Sequence, residues 1–184
     1  MKIFRCLCFL ATMLCVGLQA GIKDAIDNKD VGQVNAAVNA AREADQPVLN
    51  DWSISTEQAY LGKNLPVAVT PLMYAAIVNA SAGIIDALFK AGAKPEIQDT
   101  SFGDTALHHA VRNNNKELAE LILKHAKGKS LTDIKNFSGL TPLDEAKDDD
   151  MKKLLKHYET LGAKFSRAWH KLGGSLPHDP ELEE

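Results

Sequence analysis

Apolar positions in this chain recur at helical spacing in short pairs of segments, and a polar turn divides each pair. The clearest pair occupies Gly103–Lys124, where Asn113–Asn115 separate two amphipathic segments. Apolar residues three and four positions apart lie on one face of a helix, so the pattern predicts two short helices. A pair of this size cannot bury its own apolar face and needs similar neighbours. The two predicted faces consist of Leu107, Ala110 and Val111, and of Leu118, Leu121 and Ile122.

Neighbours of the same kind occur on both sides of this pair. Each copy opens with a threonine, at Thr70, Thr105 and Thr141, and these threonines are 35 and 36 residues apart. Threonine is a favoured helix N-cap because its side chain accepts a backbone hydrogen bond, and a following proline has no N–H to lose. The spacing therefore predicts three helix starts at one period. The motif residues are Thr70, Pro71, Leu72, Thr105, Leu107, His108, Thr141, Pro142 and Leu143.

This pattern resembles the ankyrin repeat, a unit of about 33 residues that opens with T-P-L-H-x-A. Two copies also end in the expected turn, at Ala91–Lys94 and Leu161–Lys164, and the resemblance covers about residues 22–164. It implies an all-α solenoid of about four helix–turn–helix repeats joined by short finger loops. The expected repeats are 21–49, 69–98, 103–135 and 139–164. It also implies that His108 makes structural hydrogen bonds within and between repeats.

An insertion at residues 50–68 departs from the repeat pattern. It contains Trp52, Tyr60 and a segment, Ser55–Leu61, whose composition predicts a helical turn. Long insertions in repeat proteins form loops on one face, and such loops are often functional. Two interpretations stay open, in which the insertion either seals the first groove or contacts a partner.

The two ends of the chain are expected to lie outside the repeat array. Residues 1–20 have a short basic start and an apolar run, Cys6–Leu18, which is typical of a signal peptide cleaved near Ala20. A lipoprotein anchor at Cys15 and a retained N-terminal anchor are the alternatives. All three cysteines lie in this segment, so repeat stacking must stabilise the cleaved chain without disulfides. Residues 165–184 are predicted to be one more helical turn, with Phe165 and Trp169, followed by a disordered acidic tail.

Composition and motifs exclude several classes of function. The formal net charge is −3 over 184 residues, and no basic run suggests nucleic-acid binding. The six histidines show no H-E-x-x-H spacing, and no phosphate-binding glycine loop or G-x-S-x-G motif is present. The acidic run at Asp144–Asp150 lacks the calcium-loop pattern. We therefore expect no enzyme activity, no metal and no cofactor.

The resemblance implies a protein–protein interaction module. The pattern of residues 1–20 predicts that it is exported to the periplasm or secreted and has no stable membrane anchor after cleavage, and we expect a monomer. In this family the inner helices and the finger tips contact the partner. Aromatic residues and arginine are the usual anchors of interfaces. The candidate partner-binding residues are Trp52, Tyr60, Tyr74, Gln98, Phe102, His109, Arg112, Phe137 and Glu145.

Three functions are compatible with such a module. The first is an inhibitor or immunity protein that binds and occludes a secreted or periplasmic hydrolase. The second is an accessory factor for a periplasmic redox enzyme such as catalase, where a role in handling haem would require an accessible His109 or Tyr74. The third is a secreted effector that binds a host protein.

Overall fold

The computed structural model describes residues 21–43, 54–60, 63–126 and 131–159, with the backbone alone at 41–43, 54–60 and 63–67. The predicted signal peptide, Trp52 and the tail at 165–184 lie outside these ranges, and so does the predicted turn at Leu161–Lys164. The side chain of Tyr60 is likewise outside the description.

Eight helices in the described residues form four antiparallel pairs. The first pair is α1 (21–27) and α2 (Val31–Glu43), and the second is α3 (Pro71–Ile77) and α4 (Ala82–Lys90). The third is α5 (Ala106–Arg112) and α6 (Lys116–His125), and the fourth is α7 (Pro142–Glu145) and α8 (149–159). A 3₁₀ turn, Leu131–Asp133, precedes α7 and contacts it.

The pairs stack side by side in two layers. The inner helix α5 contacts both α3 and α7, and the outer helix α4 contacts both α2 and α6. One continuous apolar core runs through all four pairs. In the first pair Ile22, Ala25, Val34 and Val38 are buried and Val31 is partly buried, so this pair closes the N-terminal end of the described array. The expected all-α ankyrin solenoid is confirmed.

Three of the inner helices begin with the predicted threonine cap. Thr70, Thr105 and Thr141 have extended backbone angles, and each side chain accepts the N–H of the residue three positions on. That third residue in turn accepts the N–H of the threonine. The acceptors are Met73 Sδ at 3.5 Å, His108 Nδ1 at 3.1 Å and Asp144 Oδ2 at 2.9 Å.

The turn between the two helices of a pair needs a left-handed residue in repeats one to three. Lys29, Asn79 and Asn114 have φ of 55°, 52° and 53° at equivalent places, and asparagine adopts this region more readily than most residues. The turns are also joined to each other, because Asn115 Nδ2 donates to Asn79 Oδ1 at 3.2 Å. In the fourth pair α7 has only four residues, and the acidic run Asp148–Asp150 follows it.

The insertion forms a β-hairpin, and the predicted helical turn at Ser55–Leu61 is wrong. Strand β1 (Ile54–Tyr60) pairs antiparallel with β2 (Lys63–Val69), from Ile54 opposite Val69 to Tyr60 opposite Lys63. A seven-residue segment has little helical stability of its own, so a neighbouring strand that supplies backbone partners decides its conformation. Pro66 is tolerated because each strand of a two-stranded ribbon has an open edge.

Candidate partner-binding surface

The first finger, residues 95–104, is folded around the side chain of Asp99. Asp99 Oδ1 accepts the N–H groups of Ser101 and Phe102 at 3.0 and 2.7 Å, and the Asp99 N–H donates to the carbonyl of Asp104 at 2.8 Å. Burial opposes ionisation of this carboxyl, but His109 and the two amides hold its pKa below the usual value. Asp99 therefore fixes the finger as a charged turn residue.

The second finger, residues 131–140, is folded in the same way around Asn136. Its Oδ1 accepts the N–H groups of Ser138 and Leu140 at 3.0 and 3.1 Å. Its Nδ2 donates to Asp104 Oδ1 at 3.0 Å and to Glu145 Oε1 at 3.1 Å. One buried amide thus sets the shape of the finger and attaches it to the helices.

The two fingers are also bonded to each other. The Phe137 N–H donates to the carbonyl of Phe102 at 2.8 Å. Gln98 Nε2 donates to the carbonyls of Gly103 and Lys135 at 2.7 and 2.9 Å. Gln98, a predicted partner-binding residue, therefore holds the fingers together.

An ion-pair cluster on the inner helices joins the third and fourth repeats. Arg112 Nη2 lies 2.7 Å from Asp104 Oδ2 and 2.9 Å from Glu145 Oε1, and the Asp104 side chain is fully buried. Burial disfavours the guanidinium charge, but the two carboxylates outweigh it and raise the pKa of Arg112. Two predicted partner-binding residues, Arg112 and Glu145, therefore bond to each other in the isolated chain.

A second buried pair lies beside this cluster, where His109 Nε2 is 3.4 Å from Asp99 Oδ2. Ligand atoms of Asp99, Asp104 and His109 all lie within 4.8 Å of one another, which is a spacing that a metal ion could use. However, Arg112 and Asn136 occupy both carboxylate oxygens of Asp104, and the nearby guanidinium charge disfavours a cation. We assign this cluster to the positioning of the first finger.

Tyr74 joins the second repeat to the first. Its hydroxyl donates to Asp27 Oδ1 at 2.6 Å, and Lys23 Nζ lies 2.7 Å from Asp27 Oδ2 and 5.2 Å from the Tyr74 ring centre. Tyr74 is 6% exposed and His109 is 2% exposed. Both predicted contact residues therefore offer a partner very little area in this conformation.

The exposed apolar area of the described chain is concentrated on the second finger. Phe137 is 68% exposed and Leu140 is 41% exposed, and they are the large hydrophobic residues exposed in the described ranges. Phe102 on the first finger is half-buried against the core. The prediction that Phe137 contacts a partner therefore rests on an accessible ring, whereas Trp52 and Tyr60 stay untested predictions.

Sequence reasoning missed Asp99, Asp104 and Asn136, the residues that shape the fingers and join them to the helices. A pattern was available for Asp99, because aspartate a few residues before a glycine is typical of a turn closed by its own side chain. No comparable pattern marks Asp104, since its partners come from another helix and another finger.

Gly103 controls the position of the Phe137 ring. Its φ is +70°, and a Cβ atom there would lie 2.5 Å from Phe137 Cδ1. Gly139 provides a matched control, with φ of +78° and nothing within 4 Å of its Cβ position. We expect Gly103→Ala and Gly139→Ala each to cost about 1–2 kcal/mol of stability from backbone strain, measured by urea unfolding. Only Gly103→Ala should shift the Phe137 ring resonances in NMR, and equal shifts in both variants would contradict this packing.

His108 makes the stability of the array pH-dependent. Its Nδ1 accepts hydrogen bonds from Thr105, so Nε2 carries the proton and donates to the carbonyl of Leu140 at 3.3 Å. Burial lowers the pKa of His108, because the charged imidazolium is disfavoured away from water. A proton on Nδ1 would also displace the hydrogen bonds from Thr105.

The folded chain therefore binds this proton less readily than the unfolded chain, whose histidine pKa is about 6.5. His108 therefore makes its full contribution to the free energy of unfolding above that pH. The contribution is lost as the pH falls from the unfolded-state pKa through the lower folded-state pKa. We expect His108→Met, which copies the Met73 arrangement of the second repeat, to reduce the loss of unfolding free energy between pH 7 and pH 5. An identical loss in both proteins, measured by urea unfolding, would contradict the assignment.

The fold and this surface define a class, namely a stacked helix–turn–helix solenoid that presents finger loops for protein binding. Residues 72–165 match the family model described as ankyrin repeats (3 copies). The chain belongs to the ankyrin repeat family, whose repeats indicate a protein–protein interaction module and are typically non-enzymatic. None of the described helices has both the length and the apolarity needed to cross a membrane.

Three similar proteins share the repeats. An ankyrin repeat protein of fowlpox virus (strain NVSL) is 36% identical over 94 residues, which is 48% of this chain and 26% of that protein. The nuclear factor NF-kappa-B p105 subunit of Gallus gallus is 34% identical over 74 residues, which is 40% of this chain and 7% of that protein. The BRCA1-associated RING domain protein 1 of Caenorhabditis elegans is 36% identical over 92 residues, which is 50% of this chain and 12% of that protein. The chain thus spans about a quarter or less of the length of each relative.

Proposed function

We propose that this chain is an inhibitor or immunity protein that acts outside the cytoplasm, binding a secreted or periplasmic hydrolase and occluding its active-site cleft. The observation that carries the proposal is Phe137, a 68% exposed aromatic ring on a finger whose backbone is held by Asn136. Export is supported by the basic and apolar pattern of residues 1–20.

Rigidity of the second finger favours tight binding. A binding loop that is ordered beforehand loses little conformational entropy when it meets its partner. Three contacts order this finger. Asn136 bonds it to Glu145 on α7, Gln98 bonds it to the first finger, and the Phe137 N–H bonds to the Phe102 carbonyl. The backbone that carries the Phe137 ring is therefore ordered before any partner arrives.

Shape supports occlusion as the mechanism. Enzyme active sites are concave and mostly lined with apolar and aromatic groups, so a projecting ring is complementary to them. Phe137 and Leu140 together give the finger an apolar tip. Insertion of this tip into a hydrolase cleft would exclude substrate without any chemistry on the inhibitor, and a monomer is sufficient for such a mechanism.

The accessory role for a redox enzyme gains no support from the geometry. A haem ligand must reach the iron, but Tyr74 and His109 are 6% and 2% exposed and both face partners within the chain. The effector hypothesis predicts the same kind of surface. A host protein as the captured partner would favour an effector, and a hydrolase would favour an inhibitor.

The test uses the full chain as bait in cell-envelope extract, with mass spectrometry of the bound proteins, followed by activity assays of any hydrolase captured. We expect Phe137→Ala to weaken binding at least about tenfold, since anchor residues contribute about 2 kcal/mol or more each. Ser138→Ala, its exposed neighbour, should bind normally.

Three other outcomes would each refute one part of the proposal. Equal affinity of the Phe137→Ala protein would refute the finger as the contact. A captured hydrolase that keeps its full activity in the complex would refute inhibition, and an uncleaved chain found only in the cytoplasm would refute export.

A further inference from the structure

Two N-x-S tripeptides occur in the chain, at Asn79–Ser81 and at Asn136–Ser138. This tripeptide, with any residue except proline in the middle, is the acceptor pattern for attachment of a sugar to the asparagine amide. Only two of its positions are fixed, so the pattern by itself carries little weight. The structure separates the two sites, because attachment needs an accessible asparagine whose Nδ2 is not already bonded within the fold.

The tripeptide on the second finger is closed to a sugar. Asn136 is 6% exposed, and its Nδ2 donates to Asp104 Oδ1 and to Glu145 Oε1 at 3.0 and 3.1 Å. A sugar on this nitrogen would replace one of the two donated hydrogens and would have to fit among buried residues. The folded finger therefore excludes modification of Asn136.

Asn79 lies in the opposite kind of environment. It is exposed in the turn between α3 and α4, where its φ is 52°. Its Oδ1 accepts a hydrogen bond from Asn115 Nδ2 at 3.2 Å, and in the described part of the chain no hydrogen bond occupies its Nδ2. A glycosylated amide keeps its carbonyl oxygen, so a sugar on Nδ2 leaves the bond to Asn115 in place.

The hydroxyl of this tripeptide is available as well. Ser81 is exposed at the N-cap of α4, but its side chain makes no capping hydrogen bond. At the caps of α3, α5 and α6, in contrast, Thr70, Thr105 and Asn115 each accept a backbone N–H. The acceptor pattern requires a hydroxyl at the third position, so the unbonded Ser81 side chain is free to be recognised by a transferase.

An open groove of about 420 Å³ lies beside Asn79. Sites that hold small molecules have volumes of roughly 300–1,000 Å³, so the groove has room for a sugar ring. Its lining consists of amide, ammonium and carboxylate groups, all of which hydrogen-bond to hydroxyls. The lining residues besides Asn79 are Asn113, Asn114, Asn115, Lys116 and Glu117. We call this the turn groove.

The turn groove is well separated from the candidate partner-binding finger. Each finger leads into the N-terminal end of an inner helix, and each turn follows the C-terminal end of that helix. Asn79 and Phe137 therefore lie at opposite ends of the inner helices. A sugar in the turn groove leaves the finger tip accessible to a partner.

We propose that Asn79 is an N-glycosylation site and that its first sugar lies in the turn groove. A bond forms between Asn79 Nδ2 and the anomeric carbon of the sugar, and the bond from that carbon to a diphosphate leaving group breaks. The diphosphate leaves with the electron pair, and one amide proton passes to a base of the transferase. The donor is a sugar diphosphate linked to a polyprenol or to a nucleoside. This assignment shares the expectation of export with the proposed function but does not depend on inhibition of a hydrolase.

The experiment is intact-mass and peptide mass spectrometry of the full chain, purified from the cells that produce it. We expect a sugar mass on the peptide that contains Asn79 and none on the peptide that contains Asn136. Ser81→Ala removes the acceptor pattern without changing Asn79 and should abolish the added mass, whereas Ser81→Thr should retain it. Ser138→Ala, the matched change in the second tripeptide, should leave the mass of the sugar unchanged.

The same spectra separate this proposal from the expectation of export. An oligosaccharide on a chain cleaved near Ala20 supports the site and assigns the polyprenol-linked donor. A sugar on the uncleaved chain supports the site, assigns the nucleoside-linked donor and refutes export. A cleaved chain whose Asn79 is unmodified overturns the proposal and leaves export standing. Added mass that persists in Ser81→Ala, or that is found on Asn136, overturns the assignment to Asn79.

Discussion

Replacing Arg112 with alanine is expected to lower the free energy of unfolding by about 3 kcal/mol. The variant removes the guanidinium that lies 2.7 Å from Asp104 Oδ2 and 2.9 Å from Glu145 Oε1. Asp104 is fully buried, so its carboxylate would keep the hydrogen bond from the Asn136 amide but lose the positive charge that balances it. An uncompensated buried charge is costly, and urea unfolding measures that cost.

A surface ion pair provides the matched control for Arg112. Lys124 pairs with Glu120 at 2.9 Å across one turn of α6, and the two side chains are 60% and 40% exposed. Water and salt screen exposed pairs of this kind, so Lys124→Ala should change the urea midpoint little. Equal losses for Arg112→Ala and Lys124→Ala would show that the cluster is not desolvated in solution.

A double variant identifies the cause of the loss. Adding Asp104→Asn to Arg112→Ala removes the buried charge that the first substitution strands, so part of the lost stability should return. If the double variant is instead less stable by the full sum of the two single losses, Arg112 and Asp104 act independently, and the ion-pair interpretation is wrong.

Sequence reasoning placed the helix starts correctly because cap chemistry is local. Thr70, Thr105 and Thr141 each bond within three residues of themselves, so a short motif contains both partners. The same locality explains why Met73 and Asp144 replace the motif histidine without loss of the cap, since the position needs only a side-chain acceptor for the threonine N–H.

The roles of the inner-helix side chains could not be predicted from a short motif. A repeat pattern identifies which positions face the inner surface, and it assigned His109, Arg112 and Glu145 there. It does not show which side chains from different repeats come within bonding distance. Arg112 and Glu145 are 33 residues apart in sequence, and only the stacking of α5 on α7 brings them together. The pattern therefore identified the surface but not the internal pairing that limits what a partner can contact.

The β-hairpin of the insertion could not be predicted for a different reason. Its residues carry no repeat motif, and a segment of seven residues is too short for helical spacing to be decisive. The hydrogen bonds that fix β1 come from β2, so the conformation of Ile54–Tyr60 depends on a partner segment rather than on its own composition.

Leu107→Ala is expected to lower the free energy of unfolding by about 3 kcal/mol or more, because it opens a cavity at a position that is 0% exposed. Leu121, a half-buried leucine in the same repeat, is the matched control, and Leu121→Ala should cost about 1 kcal/mol, since less apolar area is lost. Urea unfolding measures both values, and equal losses would contradict the core position of Leu107.

The loss at Leu107 should also spread along the array. Stability in repeat proteins is approximately a sum of repeat and nearest-neighbour terms, and α5 has neighbours on both sides, α3 and α7. Because weakening the central repeat loosens two interfaces, we expect faster amide hydrogen exchange in α3 and α7 of the Leu107→Ala protein, with slow exchange retained in α2. If the faster exchange is confined to α5 and α6, the repeats are not energetically coupled, and the second finger does not gain its rigidity from the stack behind it.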